Sequence, residues 1–389
     1  MKILYHHRTR SKDGQSVHIE EMIAALRQLG HEVIVVAPVG DERQRFGSDD
    51  QSLLFLKRYL PQFFYEWMEL AYNLIAYVHL AAAVRRHRPD CIYERYNLFL
   101  MAGIWIKRRY GLPLLLEVNS PIFEERARYD GLALQRLARW SQTTVWHAAD
   151  RLLPVTKVMA EIIQSYGVLP EKITVIHNGI NLQEFSHAAG NAESSAANRT
   201  RLGLEHKLVL GFTGFVRQWH GLHQVIEMIA KDHSSSRRHL LIVGDGPERP
   251  NLEQLAVSLN VQDRVMFTGM IAREKIPEYV STFDIALQPA VVAYASPLKL
   301  IEYLALGKAI VAPAQPNICE LLTDQYNALL FDPNQTDGML QAIDRLCHNN
   351  QLLETISKNA RNTIIAKNLT WNANAEQVVG LFERLIQHA

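Results

Sequence analysis

Short apolar runs alternate with stretches of helical periodicity along nearly the whole chain. Residues 2–5, 31–38, 91–93, 113–118 and 152–155 are near-continuous apolar segments of strand length, as expected of parallel strands buried on both faces. Between them, residues 16–29, 60–88 and 157–166 carry apolar positions three and four apart, the period of amphipathic helices, and Gly30 ends the first of these. The pattern restarts in the second half. There, residues 208–213, 240–243, 264–267, 285–287 and 309–312 read as strands between helices, with 172–177 as a connecting strand. Residues 186–197 are rich in Ala, Ser, Asn and Gly and read as a surface loop. Residues 369–387 form a helical pattern with no strand after it. The alternation predicts an α/β protein of two doubly wound parallel-sheet halves. They divide as 1–166 and 167–368, with 369–389 as a terminal helix. Ligands in such sheets sit at the C-terminal ends of the strands, so two facing halves would hold a ligand in the cleft between them.

Composition narrows the class. A chain of 389 residues with 48% hydrophobic content can bury sizeable cores, and a formal charge of +1 argues against a general nucleic-acid binder. Residues 1–165 carry 22 Lys/Arg against 18 Asp/Glu and the remainder 19 against 22; a mildly basic first half is compatible with an anionic surface or ligand and equally with no such role. Cys91, Cys319 and Cys347 are odd in number and widely spaced, which fits a reducing, cytoplasmic setting rather than a disulfide framework or a CxxC metal site. Residues 1–5 read as a strand and not as a signal peptide, and the longest apolar stretch, 70–84, contains Asn73 and His79 and is too short to span a bilayer.

The most informative segment runs from Ser296 to Ala312. Ser296 suits an N-cap, Pro297 the first helical position and Gly307 the residue just past a short helix. The exposed N–H groups and positive dipole end at 297–298 favour a phosphate. Lys299 and Glu302, three apart on one face, would then offer a cation to a diphosphate and a carboxylate to ribose hydroxyls. A surface ion pair on an ordinary helix has the same spacing. Two loops after strands add candidates. Gly14, in the Asp13–His18 loop, either lets a ligand approach the backbone or simply turns the chain. Arg217 and His220, after the apolar run 208–213, lie where an α/β site belongs, although a lone Arg is often merely solvated. The turn 244–247 (Gly-Asp-Gly-Pro) reads as a plain turn. No Asp-x-Asp, Walker A or Gly-x-Ser-x-Gly sequence is present, so a diphosphate would be met by Arg, Lys and helix dipoles without metal. In the first half, Glu94, Arg95, Glu117 and Asn119 end adjacent strands; each could contact an acceptor or sugar, or serve the scaffold.

Taken in order, these blocks resemble the retaining glycosyltransferases of family 4, which have the GT-B fold. The blocks are residues 1–5, Gly14 to His18, 30–33, 175–180, 243–247, 264–269, 296–302 and Thr370-Trp371. The resemblance covers nearly the whole chain and implies two Rossmann-like domains facing a central cleft, with the last helix crossing back to the first domain. It implies transfer of a sugar from a nucleoside-diphosphate sugar, with no cofactor, to a glycan or lipid-linked acceptor in polysaccharide or glycoconjugate synthesis. By position it gives Glu302 to the donor ribose, the backbone of Pro297 and Leu298 with Ser296 to the diphosphate, Gly14 to the same phosphates and Met270 and Ile271 to the base. It puts His18 on the first helix as the family's recurrent histidine, and His18 and the strand-end Glu117 join the catalytic candidates. Three positions depart from the pattern: Tyr294 stands where a Glu is usual, His220 where a Lys is usual and Phe215 where an Arg is usual. Arg217 and Lys299 are then the expected catalytic cations. The departures leave two further classes open, a GT-B sugar-nucleotide epimerase and a non-catalytic glycosyltransferase-like subunit. Residues 55–68 mix aromatics with cations, as an anionic membrane interface favours and as a core helix with a basic start also would.

Overall fold

The computed structural model describes residues 1–9, 14–38, 61–189, 192–232 and 237–387. The chain forms two α/β units. The first comprises Met1–Asn178, Tyr294–Ser296 and Trp371–Ala389, and the second Gly179–Ala293 and Pro297–Thr370.

In the first unit, β1 (Lys2–His6), β2 (Glu32–Val36), β3 (Cys91–Arg95), β4 (Leu114–Val118) and β5 (Arg151–Pro154) form a parallel sheet of order β2-β1-β3-β4-β5. Every residue of β3 and β4 is buried, which explains the apolar runs Cys91–Tyr93 and Leu114–Leu116 that precede their polar ends. Helix α1 (Gly14–Gln28) buries Val17, Ile19, Met22 and Leu26. Helix α2 (Gln62–His87) ends on Arg88 in the left-handed conformation (φ 50°), and its Leu80 and Val84 join Leu4, Ile92, Leu116 and Trp146 in the core. The helix Trp371–Gln387 packs on α1, with the Trp371 ring edge-on to His18 at 4.8 Å between centroids.

The second unit holds β6 (Leu208–Thr213), β7 (Arg238–Val243), β8 (Val265–Phe267), β9 (Ile285–Leu287), β10 (Ala309–Pro313) and β11 (Leu329–Phe331), parallel and in the order β11-β10-β9-β6-β7-β8. The period of two sorts its core. Val209, Leu241, Ala286 and Ile310 face the helix Leu298–Ala305, and Leu210, Ile242, Leu287 and Val311 face the opposite layer. Each Val, Leu or Ile among them contributes about 1.5–3 kcal/mol on full burial.

Four readings of the sequence change. The division lies at 178 rather than 166, because the Thr174 N–H donates to Leu152 O and the Ile176 N–H to Pro154 O, both at 2.9 Å, which keeps 173–176 beside β5. That segment makes a single bridge with β5 instead of a strand. Residues 186–189 and 192–197 are not loop but belong to the helices Leu182–Ala189 and Ala192–Arg201, where Ala's helix propensity outweighs the Ser and Asn that suggested irregular chain. Strand β11, only three residues long, carried too little pattern to be seen.

Candidate functional site

The second unit concentrates its unusual chemistry where β6, β7 and β8 end. The three loops that follow are laced together through backbone. The Gly214 N–H donates to Val243 O (2.9 Å), the Val216 N–H to Asp245 O (2.8 Å), and Gly244 bridges Gly269. This approach requires glycine. A Cβ on Gly244 would lie 2.2 Å from Gly214 O, at φ +134°, and one on Gly246 would lie 2.2 Å from Val216 O. The segment 244–247 is therefore more than a plain turn.

Into this loop layer points the helix Leu298–Ala305. Its N-cap is Pro297, one residue later than the sequence suggested, and no side chain caps it. Ser296 instead belongs to the first unit, where its carbonyl accepts from Asn178 Nδ2 (2.7 Å) and its buried hydroxyl makes no hydrogen bond. Tyr303 anchors the helix, its hydroxyl accepting the Thr213 N–H at 2.9 Å. Lys299 Nζ lies 4.0 Å from the centre of the Phe212 ring, and a Cβ on Gly214 would come within 3.2 Å of it. Burial lowers the Lys299 pKa to about 7, with Glu302 opposing. Burial raises the Glu302 carboxyl to about 7; Arg273 and Lys299 pull it down and Glu184 pushes it up. Burial thus opposes the charge on both groups, although each keeps part of its surface exposed.

Arg217 is exposed, with its guanidinium 4.9 Å from the exposed Phe215 ring. His220 is buried against Phe212 and Trp219, and its Nδ1 accepts the Arg217 N–H at 3.1 Å. Burial, then Lys299, then Arg217 push its pKa down to about 3, so at neutral pH it orients the Arg217 backbone and carries no charge. It does not replace a lysine as a cation. Met270 is exposed beside the loop layer, whereas Ile271 packs on the core. The structure therefore brings Arg217, His220, Lys299 and Glu302 together in one unit.

The first unit holds a second polar centre. The Glu117 carboxylate, at the end of β4, accepts Tyr93 OH (2.7 Å), Arg95 and Asn119 Nδ2, and His18 Nε2 lies 3.1 Å from it. Parallel register sets Arg95 opposite Glu117, and alternation along β3 puts Tyr93 and Arg95 on the same face. Burial would raise the Glu117 pKa, but His18, Arg95 and the hydrogen bonds prevail and hold it well below the usual carboxylate range. Glu94 points the other way. It pairs with His6 at 2.5 Å, and its carboxylate occupies the space where a side chain on Gly103 would stand, at the start of α3 (Ala102–Tyr110). That environment makes it part of the scaffold. Gly14 is the exposed first residue of α1, and the Asp13 that precedes it lies outside the described residues. Tyr294, also in this unit, donates its hydroxyl to Glu125. Sequence reading missed Tyr93 and the His18–Trp371 contact; strand alternation signalled the first, and nothing local signalled the second.

A family model described as Glycosyltransferase Family 4 matches residues 12–184, and one described as Glycosyl transferases group 1 matches 195–363. Among curated relatives, a D-inositol 3-phosphate glycosyltransferase of Salinispora arenicola is 29% identical, over 76% of this chain and 68% of its own length. The alpha-monoglucosyldiacylglycerol synthase of Streptococcus pneumoniae is 22% identical over 84% and 74%. Among solved structures, Anabaena HepE in complex with UDP superposes with a TM-score of 0.77 at 18% identity, covering 99% of this chain and 100% of that one. The same protein has been solved with UDP-glucose.

Proposed function

This chain belongs to the group 1, family 4 glycosyltransferases of GT-B fold, and from that premise we propose that it moves a sugar, with retention and without metal, from a nucleoside-diphosphate sugar to a glycan or lipid-linked acceptor. The observation that carries the donor half is the placing of Lys299 and Glu302 in the first turns of a helix, with Gly214 leaving room beside Lys299 and Gly244 and Gly246 letting the neighbouring loops pack together. A diphosphate at this helix N-terminus would meet the dipole, Lys299 and Arg217, and would draw a proton onto Lys299. Glu302, one turn deeper, suits ribose hydroxyls. The bond from the anomeric carbon to the phosphate oxygen breaks while the acceptor oxygen bonds to the same face of that carbon, and the departing phosphate takes the acceptor proton. Arg217 and Lys299 stabilise the charge that develops on the diphosphate. No protein nucleophile is needed. Glu117, saturated with donors, fixes His18 and Arg95 and does not exchange a proton at neutral pH.

UDP bound to HepE makes uridine the first base to try. A thermal-shift screen against nucleoside diphosphates and their sugars tests the donor site, because a ligand that binds only the folded state raises the melting temperature. No shift with any nucleotide at millimolar concentration would refute it. One observation favours a second reading: Tyr294 is engaged with Glu125 and supplies no carboxylate, as in a subunit that binds without turning over. Release of UDP from UDP-glucose, with or without acceptor, separates the two.

A further inference from the structure

Helix α2 is built inside out. Its polar residues point inward: Glu66 accepts the N–H groups of Ala133 (2.8 Å) and Leu134 (2.7 Å). Glu69 takes Arg126 at 2.7 Å, and Asn73 Oδ1 accepts those of Met101 (2.6 Å) and Ala102 (3.0 Å). Its large apolar residues point outward. Phe64 is 55% exposed, Trp67 50%, Leu74 68%, Ile75 54% and Val78 62%, with Phe63 and Met68 beside them. At 3.6 residues per turn these positions span an arc of about 140° on one side of the helix and run for roughly 22 Å. A buried core helix would show the reverse. The stripe ends on Arg85 and Arg86, exposed and on the same arc. The only acids of α2, Glu66 and Glu69, are both buried, so the outward face carries cations and no anions. Among the described residues no helix is long and apolar enough to cross a membrane.

We propose that this face of α2 lies flat on an anionic lipid surface, with its aromatic and aliphatic side chains in the headgroup boundary and Arg85 and Arg86 on lipid phosphates. An apolar face of this extent favours the interface through buried area, and each arginine adds its attraction to the negative surface. This inference stands apart from the transferase reading, since vesicle binding without turnover would leave it intact. It extends the sequence-stretch 55–68, of which 55–60 lie outside the described residues, to a surface reaching Arg86.

The test is sedimentation of the full chain with phosphatidylglycerol/phosphatidylcholine vesicles and with pure phosphatidylcholine vesicles, at low and high salt. Binding to the anionic vesicles is expected, weakened but not abolished by salt, with quenching of tryptophan fluorescence by brominated lipid that is lost in Trp67→Phe. The triple change Phe64→Ser, Trp67→Ser, Ile75→Ser should lower partitioning at least roughly tenfold with an unchanged melting temperature. Arg85→Gln with Arg86→Gln should lower it about tenfold at low salt and flatten the salt dependence. A wild-type protein that neither sediments with anionic vesicles at low salt nor is quenched overturns the proposal. So does equal binding by the arginine variant, or a wild-type dimer in the absence of lipid that the triple variant converts to monomer, which would give the face to a second copy of the chain.

Discussion

Glu302 is held at a cost to the fold, and Glu302→Gln should expose that cost. Its carboxyl is raised from an ordinary 4.5 to about 7 by burial. At about 1.4 kcal/mol per pH unit this would amount to roughly 3 kcal/mol, and screening at a half-buried site reduces it to about 1–2 kcal/mol. The sign follows from proton counting. Below pH 4.5 the carboxyl is protonated whether the chain is folded or not, so the substitution should change little. Between 4.5 and about 7 the unfolded chain loses this proton before the folded one, so the wild type loses stability as pH rises. Above 7 the penalty is complete and Glu302→Gln should be the more stable protein, by about 2–6 °C for a unit of this size. If Glu302 holds the donor ribose as proposed, the same variant should lose most of any stabilisation by UDP, because glutamine cannot match a carboxylate that would accept from two ribose hydroxyls. The assay is a pair of melting curves, with and without UDP, at pH 4.5, 6 and 8. A variant less stable than wild type at pH 8, or one that keeps the full nucleotide-induced shift, would refute the reasoning.

Gly244→Ala should cost at least about 3 kcal/mol in urea unfolding, since its Cβ has no room beside Gly214 O at a strained φ, and a neutral result would mean the loop lacing is not needed. Arg217→Ala and Lys299→Ala should each lower turnover by roughly 10²–10³ in an assay that survives EDTA; complete loss in chelator with recovery on manganese would sink the metal-free scheme. Glu117→Gln should destabilise the first unit by about 3–5 kcal/mol by stranding Arg95 and His18. In the wild type, the stability that Glu117 supplies should be present above its ordinary value of 4.5 and fade as pH falls below it, which acid titration of unfolding can follow.

The strands and helices were legible because both sheets are parallel and buried, so apolar runs of strand length alternate with helical period along most of the chain. The helix Leu298–Ala305 was legible for a local reason: Pro297, Lys299, Glu302 and Gly307 lie within one short stretch, and their spacing alone puts cation and carboxylate on one face. What escaped was non-local. His220 reads as a donor contact at a strand end until Phe212 and Trp219 are seen to bury it, and Glu94 and Arg95 read alike until alternation sends one to His6 and the other to Glu117. The outward face of α2 was half legible. Its aromatics were plain, but periodicity cannot tell which side of a helix is covered, and only the inward hydrogen bonds of Glu66 and Asn73 decide it.

The first unit is discontinuous in sequence. The chain leaves it after Asn178, returns briefly at Tyr294–Ser296 and finally at Trp371, the first and last crossings paired by the Ile180 N–H on Leu369 O at 3.1 Å. During synthesis, β1 to β5 emerge long before the helix that covers α1. The nascent sheet therefore spends the whole translation of the second unit with the α1 face, His18 included, open to solvent or chaperone. Folding of the half made first is completed by residues made after the second, so a ribosome stalled anywhere between 179 and 370 holds an unfinished domain.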